Sequence, residues 1–228
     1  MFDPFGDFET RGYLRNFRKL KDRKLISDQE RVAFAAFAPK AAKLIRVTQH
    51  ISYADVLKTH EILFGRLYPW AGQDRSMTAP NLSISKAGIE DLFTLPGHEK
   101  LAMNHALHLG SNPHVMKAKP GEIMGLMAFS HPFLDGNGRT IMLLHQELCF
   151  RAGFHIDWLK TNKSSYLHIL TEELKSPGKG FLDDYLRPMI VSRQLDLADS
   201  LKTLLAIPGL NTDVHARGEG TIAPGPRK

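Results

Sequence analysis

The stretch His131-Pro132-Phe133-Leu134-Asp135-Gly136-Asn137-Gly138-Arg139-Thr140 gathers an imidazole, a carboxylate, two glycines around an amide side chain and a guanidinium within ten residues. Each has a task beside a phosphate. Gly136 and Gly138 let successive backbone N–H groups converge on an anion. A helix starting near Arg139 would turn its positive end to the same place. Arg139 can grip phosphate oxygens in a fork, and Asn137 supplies a neutral donor. Asp135 is a hard carboxylate of the kind that holds Mg²⁺ beside bound phosphates. His131, with an ordinary pKa near ~6.5, is fit to take a proton from an attacking hydroxyl. Base, metal ligand and phosphate cradle together describe phosphoryl or nucleotidyl transfer. Asp-Gly and Asn-Gly are also ordinary turn dipeptides, so the reading rests on their order: base, apolar anchor Phe133, acid, glycine nest, arginine, helix.

Such a loop needs a rigid element at each end. Apolar spacing predicts helices over 121–129 and 140–152, the second with Ile141, Leu144, Leu148 and Cys149 at core spacing. Upstream, Ser27 and Glu30 have the spacing of a capping box, and Pro39 should interrupt the helix that follows. A helix over 53–67 carries Val56, His60, Leu63 and Leu67 on one face and ends at Tyr68-Pro69-Trp70-Ala71-Gly72. Residues 73–88 differ. Pro80-Asn81 is a turn, and Leu82 and Ile84 alternate with Ser83 and Ser85, a strand or hairpin signal spanning about 76–86. Helices follow over 98–109, 165–174 and 181–206, with Pro188 as a point of interruption. The expected chain is mainly α, divided into a basic helical N-terminal extension (1–50), a core domain (51–206) and a flexible Pro/Gly-rich tail (207–228).

Composition narrows the class. With 228 residues, 43% of them hydrophobic and 24% charged, the chain has the balance of a globular protein. No apolar run reaches the ~18 residues that span a bilayer, so no membrane partner is expected. A single cysteine, Cys149, excludes an internal disulfide framework and implies a reducing, cytoplasmic setting. The net charge of +6 is concentrated in residues 1–46, which hold eleven bases and six acids. No aromatic or base-reading motif accompanies them, so a solvated helix face is the expectation rather than a nucleic-acid partner. His105, His108 and His114 lack the further ligand that would make a zinc site.

The segment HPFLDGNGR resembles the signature loop of the Fic (Fic/Doc) family, His-x-Phe-x-Asp/Glu-Gly-Asn-Gly-Arg-x-x-Arg, and Tyr68-Pro69-Trp70-Ala71-Gly72 resembles that family's upstream Tyr-Pro-Trp-Ala-Gly. The resemblance implies a helical bundle with a short β-hairpin flap. It implies that His131 deprotonates a target hydroxyl, Asp135 holds Mg²⁺, Asn137 with the Gly136 and Gly138 amides holds the α-phosphate of ATP, and Arg139 holds the β-phosphate. The expected reaction is transfer of AMP to a protein side chain. The target would dock by strand addition on a flap containing Ser83, Ile84, Ser85 and Lys86. An inhibitory antitoxin-like partner acting in trans, and a role as a toxin or as an effector delivered into a host cell, both fit the family.

One position departs from the pattern. The terminal arginine falls at Met142 here, which removes a charge-assisted contact worth about 1.5–3 kcal/mol. UMP or phosphocholine transfer, or a non-catalytic nucleotide-binding module, are therefore the alternatives. The family's inhibitory glutamate motif, Ser/Thr-x-x-x-Glu-Gly/Asn, is not met by Glu219-Gly220 or by Ser27-Asp28-Gln29-Glu30. No built-in brake of that kind is expected.

Overall fold

The structure is a computed structural model that describes residues 15–80, 84, 92–207 and 210. Its helices are α1 (Arg23–Val47), α2 (Tyr53–Phe64), α3 (Arg75–Thr78), α4 (Glu99–Gly110), α5 (Pro113–Ala118), α6 (Pro120–Ser130), α7 (Asn137–Arg151), α8 (Lys163–Lys175), α9 (Phe181–Leu186) and α10 (Leu197–Leu205). Two short strands, β1 (His155–Ile156) and β2 (Ile190–Val191), pair antiparallel with His155 opposite Val191 and Ile156 opposite Ile190. The mainly helical class read from the sequence is the one observed.

Helix α6 lies at the centre, against α4, α7, α8 and α9. Ile123 and Met127 are buried on one side of it and Gly121, Gly125 and Ala128 on another, as befits a helix surrounded by others. No helix among the described residues is long and apolar enough to cross a membrane. Helix α1 packs along α2, α7 and α10, which brings the basic N-terminal part of the chain against the elements around the loop.

Local expectations needed correction in three places. Helix α1 begins at Arg23, four residues ahead of Ser27, because the Asp22 carboxylate accepts from the Lys24 and Leu25 N–H groups. Glu30 is then an interior residue bonded elsewhere. Pro39 does not end α1: Phe34, Ala38, Ala41 and Ile45 form a wholly buried stripe, and that burial outweighs a proline penalty of about 3 kcal/mol. The strand signal at 76–86 fails at its start. Residues 75–78 form one helical turn because Asp74 caps the Met77 N–H. Ser83, Ser85 and Lys86, and with them the expected hairpin, lie outside the described residues; Ile84 packs half-buried on the core. The interruption expected at Pro188 within 181–206 is observed: its short 3₁₀ turn leads into β2.

Candidate active site

The reversal between α6 and α7 carries the chemistry. Helix α6 stops at His131, which adopts a left-handed backbone (φ 40°, ψ 58°), a conformation that costs a non-glycine residue about 1–2 kcal/mol. The His131 ring lies against Phe93, ring centres 4.1 Å apart. Phe133 enters the core and is wholly buried.

The loop is held from inside by two side chains. Asn137 clasps Phe133 twice: its Oδ1 accepts from the Phe133 N–H at 2.9 Å and its Nδ2 donates to the Phe133 carbonyl at 2.7 Å. His60 stacks on Phe133 at 3.7 Å between ring centres, 13° from parallel. Its Nδ1 accepts from the Gly72 N–H at 3.0 Å, so the proton sits on Nε2, which donates to the Asp135 carbonyl at 3.0 Å. Burial pushes the His60 pKa down to about 3, against the smaller opposing effect of that carbonyl, and the ring is therefore a neutral strut. Gly136 follows with φ 77°. A Cβ there would stand 2.6 Å from Phe64 Cε2 and 3.0 Å from His60 Nε2, so the turn admits only glycine.

Helix α7 starts at Asn137, earlier than the expected Thr140, because the Thr140 N–H already bonds back to the Gly136 carbonyl at 3.1 Å. The three N–H groups ahead of it, on Asn137, Gly138 and Arg139, precede the first intrahelical bond, and no side chain caps this end. A Cβ on Gly138 would meet nothing within 4 Å. The positive end of a 15-residue helix is thus open at an exposed glycine, which is how proteins bind phosphate.

Two charged groups flank this opening. Asp135 Oδ1 accepts from the Gly136 N–H at 2.6 Å. Burial, then the nearby Glu30 carboxylate, push the Asp135 pKa up to about 7, while Arg139 and the Gly136 N–H oppose them. Arg139 Nη2 donates to Glu30 Oε2 at 2.9 Å, and Glu30 Oε1 accepts from the Tyr68 hydroxyl at 2.7 Å. Arg139 Nη1 is buried and has no hydrogen-bond partner among the described residues. Met142 lies in the core, 7% exposed, so position 142 presents no charge to the loop.

The tertiary structure therefore gathers His131, Asp135, Gly136, Asn137, Gly138 and Arg139 on one reversal. Asn137, expected to donate toward a ligand, spends both ends of its amide on the loop itself. Glu30, Tyr68 and His60 join the site without having been singled out for it. Their sequence signal was a polar group on an otherwise apolar stripe: His60 stands between Val56 and Leu63, and Glu30 lies four residues ahead of Phe34.

The chain is similar to several known proteins. Residues 50–149 match the model of the Fic/DOC family. The protein adenylyltransferase VbhT of Bartonella schoenbuchensis is 29% identical over 158 residues, which cover 68% of this chain and 32% of that protein. The probable protein adenylyltransferase y4lH of Sinorhizobium fredii is 26% identical over 164 residues, covering 68% of this chain and 79% of that one. This chain spans about a third of the length of the first of these relatives. Among solved structures, BepC of Bartonella tribocorum with bound AMPPNP superposes with a TM-score of 0.63 at 17% identity, over 79% of this chain and 93% of that one.

Proposed function

We propose, for a chain whose residues 50–149 belong to the Fic/DOC family, that this protein transfers AMP from ATP to a hydroxyl side chain of a target protein and releases pyrophosphate. The observation that carries this reading is the uncapped N-terminus of α7 at Gly138, flanked along the chain by Arg139 on one side and by Asp135 and His131 on the other. The relatives named protein adenylyltransferase, and AMPPNP bound in a fold like this one, support the same choice of donor.

In this mechanism the backbone N–H groups at the start of α7 receive the α-phosphate, and the Arg139 guanidinium receives the β-phosphate. The Asn137 side chain contributes by holding the loop rigid. His131 takes the proton from the target hydroxyl as its oxygen bonds to the α-phosphorus. The bond from that phosphorus to the β-bridging oxygen breaks in line, and pyrophosphate leaves. One carboxylate with a free oxygen beside a phosphate site suits Mg²⁺, which takes one or two protein carboxylates and fills its shell with phosphate oxygens and water. Asp135 fits that demand, and the ion would neutralise charge on the departing pyrophosphate. We assign target docking to the segment containing Ser83, Ile84, Ser85 and Lys86, and the place of action to a cytoplasm, the cell's own or a host's.

The test incubates cell lysate and Mg²⁺ with labelled ATP, UTP, GTP or CDP-choline, comparing the wild type with His131→Ala. Label transfer from ATP that the variant abolishes is the expected result. Transfer from UTP or CDP-choline alone would move the assignment to UMP or phosphocholine. No transfer from any donor would leave a nucleotide-binding module.

A further inference from the structure

A helix leaves its last four carbonyls without intrahelical partners, and α6 ends at the residue on which the proposed chemistry depends. Among the described residues, four successive carbonyls at this end, those of Phe129, Ser130, His131 and Pro132, accept hydrogen bonds from two residues, Thr94 and Arg75. The Thr94 N–H donates to Phe129 at 3.0 Å and the Thr94 hydroxyl to Ser130 at 2.8 Å. Arg75 Nε donates to His131 at 2.7 Å, and the Arg75 backbone N–H donates to Pro132 at 2.7 Å.

The two donors are themselves joined. Arg75 Nη2 donates to the Thr94 carbonyl at 2.8 Å and approaches the Thr94 hydroxyl at 3.2 Å. The Glu99 carboxylate stands 3.4 Å from the same nitrogen, with side-chain exposures of 0% and 1% for the pair. A buried guanidinium usually answers a carboxylate or a ligand. Here, among the described residues, its closest contacts are backbone carbonyls, one of them on a left-handed histidine. Phe93, next to Thr94 in the chain, covers the ring of that same histidine.

We infer that Arg75 is a positioning residue for His131, holding its backbone in the left-handed conformation that aims the imidazole, with Thr94 completing the clamp. Without the Arg75 donor the His131 carbonyl loses a charge-assisted bond. The backbone then relaxes toward ordinary φ values, and the Cα–Cβ direction swings with it. Glu99 keeps the guanidinium charge neutralised, which makes the clamp tolerable in a dry interior. The inference rests on the proposed role of His131 but can be read without it.

The experiment uses the full chain with Arg75→Lys, Arg75→Gln, Thr94→Val and Thr94→Ser. Three quantities are compared: turnover at saturating ATP, the ATP dissociation constant, and the NMR coupling and chemical shifts that report the His131 φ. Turnover is expected to fall by roughly tenfold to a hundredfold in the Arg75 variants, with ATP affinity within about twofold and His131 signals moved out of the left-handed range. Thr94→Val should show the same pattern more weakly, and Thr94→Ser should recover most of the loss. Unchanged His131 signals and turnover in Arg75→Lys and Arg75→Gln would overturn the inference, as would a parallel loss of ATP binding. If Arg75 variants do not fold, the Thr94 pair decides by the same criteria. If the wild type transfers nothing, the transferase reading fails, while the His131 signals still decide the role of Arg75.

Discussion

Glu30 and Arg139 lie 109 residues apart in the chain and form an ion pair of 2.9 Å, with side-chain exposures of 4% and 15%. The pair joins α1 to the first turn of α7. It also means that, without a nucleotide, the guanidinium proposed for a phosphate is already engaged by a carboxylate from the N-terminal helix.

That arrangement predicts competition. Glu30→Gln keeps the shape and the acceptor for Tyr68 but removes the charge. The ATP dissociation constant should fall about three- to tenfold, because phosphate oxygens no longer displace a full ion pair. The ligand-free variant should melt lower than the wild type, since a buried guanidinium loses its counter-charge. Isothermal calorimetry and thermal melts with and without ATP measure both effects. Weaker ATP binding in the variant would refute the competition.

Gly136 and Gly138 stand two residues apart and should answer substitution in opposite ways. Gly136→Ala must hold alanine at φ 77° and push Phe64 aside, so stability should drop by at least about 1–2 kcal/mol and melting by roughly 2–8 °C. At Gly138 a methyl group meets only open space. Gly138→Ala should leave melting unchanged or slightly raised, by about 0.5–1 kcal/mol in helix terms, yet weaken ATP about tenfold by shielding the helix end. A fully active Gly138→Ala would argue against phosphate binding there.

The acid side of the activity profile should report Asp135. Its pKa in the ligand-free protein is pushed up to about 7 by burial and by Glu30, so Mg²⁺-dependent transfer should rise with pH through that region as the carboxylate forms. Glu30→Gln removes the second of those causes and should move this limb to lower pH. Initial rates between pH 5.5 and 8.5, at Mg²⁺ well below saturation for each protein so that proton and ion compete for the Asp135 carboxylate, test the shift.

Stability should depend on pH through two buried imidazoles. Burial lowers His60 to about 3 and His145 to about 4, while in the unfolded chain both titrate near ~6.5. Below that value the unfolded state binds more protons, so their contribution is complete above ~6.5 and is lost as pH falls through the folded values of about 4 for His145 and about 3 for His60. Asp135, with its raised pKa, works in the opposite sense and softens the slope. His145→Gln cannot ionise but can still donate to the Pro120 carbonyl, which His145 Nε2 contacts at 2.7 Å. Denaturant midpoints at pH 7 and 4.5 should therefore differ less in that variant than in the wild type.

Much of this site was legible in the primary structure because loop chemistry is local. The spacing of His131, Asp135, Gly136, Gly138 and Arg139 carries its meaning within a single turn, and the apolar period on either side announces the two flanking helices. Helix boundaries were less legible. Asp22 outcompeted Ser27 as a cap, and the buried stripe of α1 carried that helix through Pro39 against its local preference.

The linear chain by itself determined that an imidazole, an acid, a glycine nest and a guanidinium would meet at a junction of two helices. Only the tertiary structure decided what holds them. It turned Asn137 inward, braced Phe133 with His60, set Glu30 against Arg139, and tied the His131 carbonyl to Arg75 fifty-six residues earlier. Apart from Asn137 with Phe133, which lie in one loop, such pairings join groups that share no period and no motif. They follow from which buried donors and acceptors come within reach once the helices pack, because in a dry interior each must find a partner.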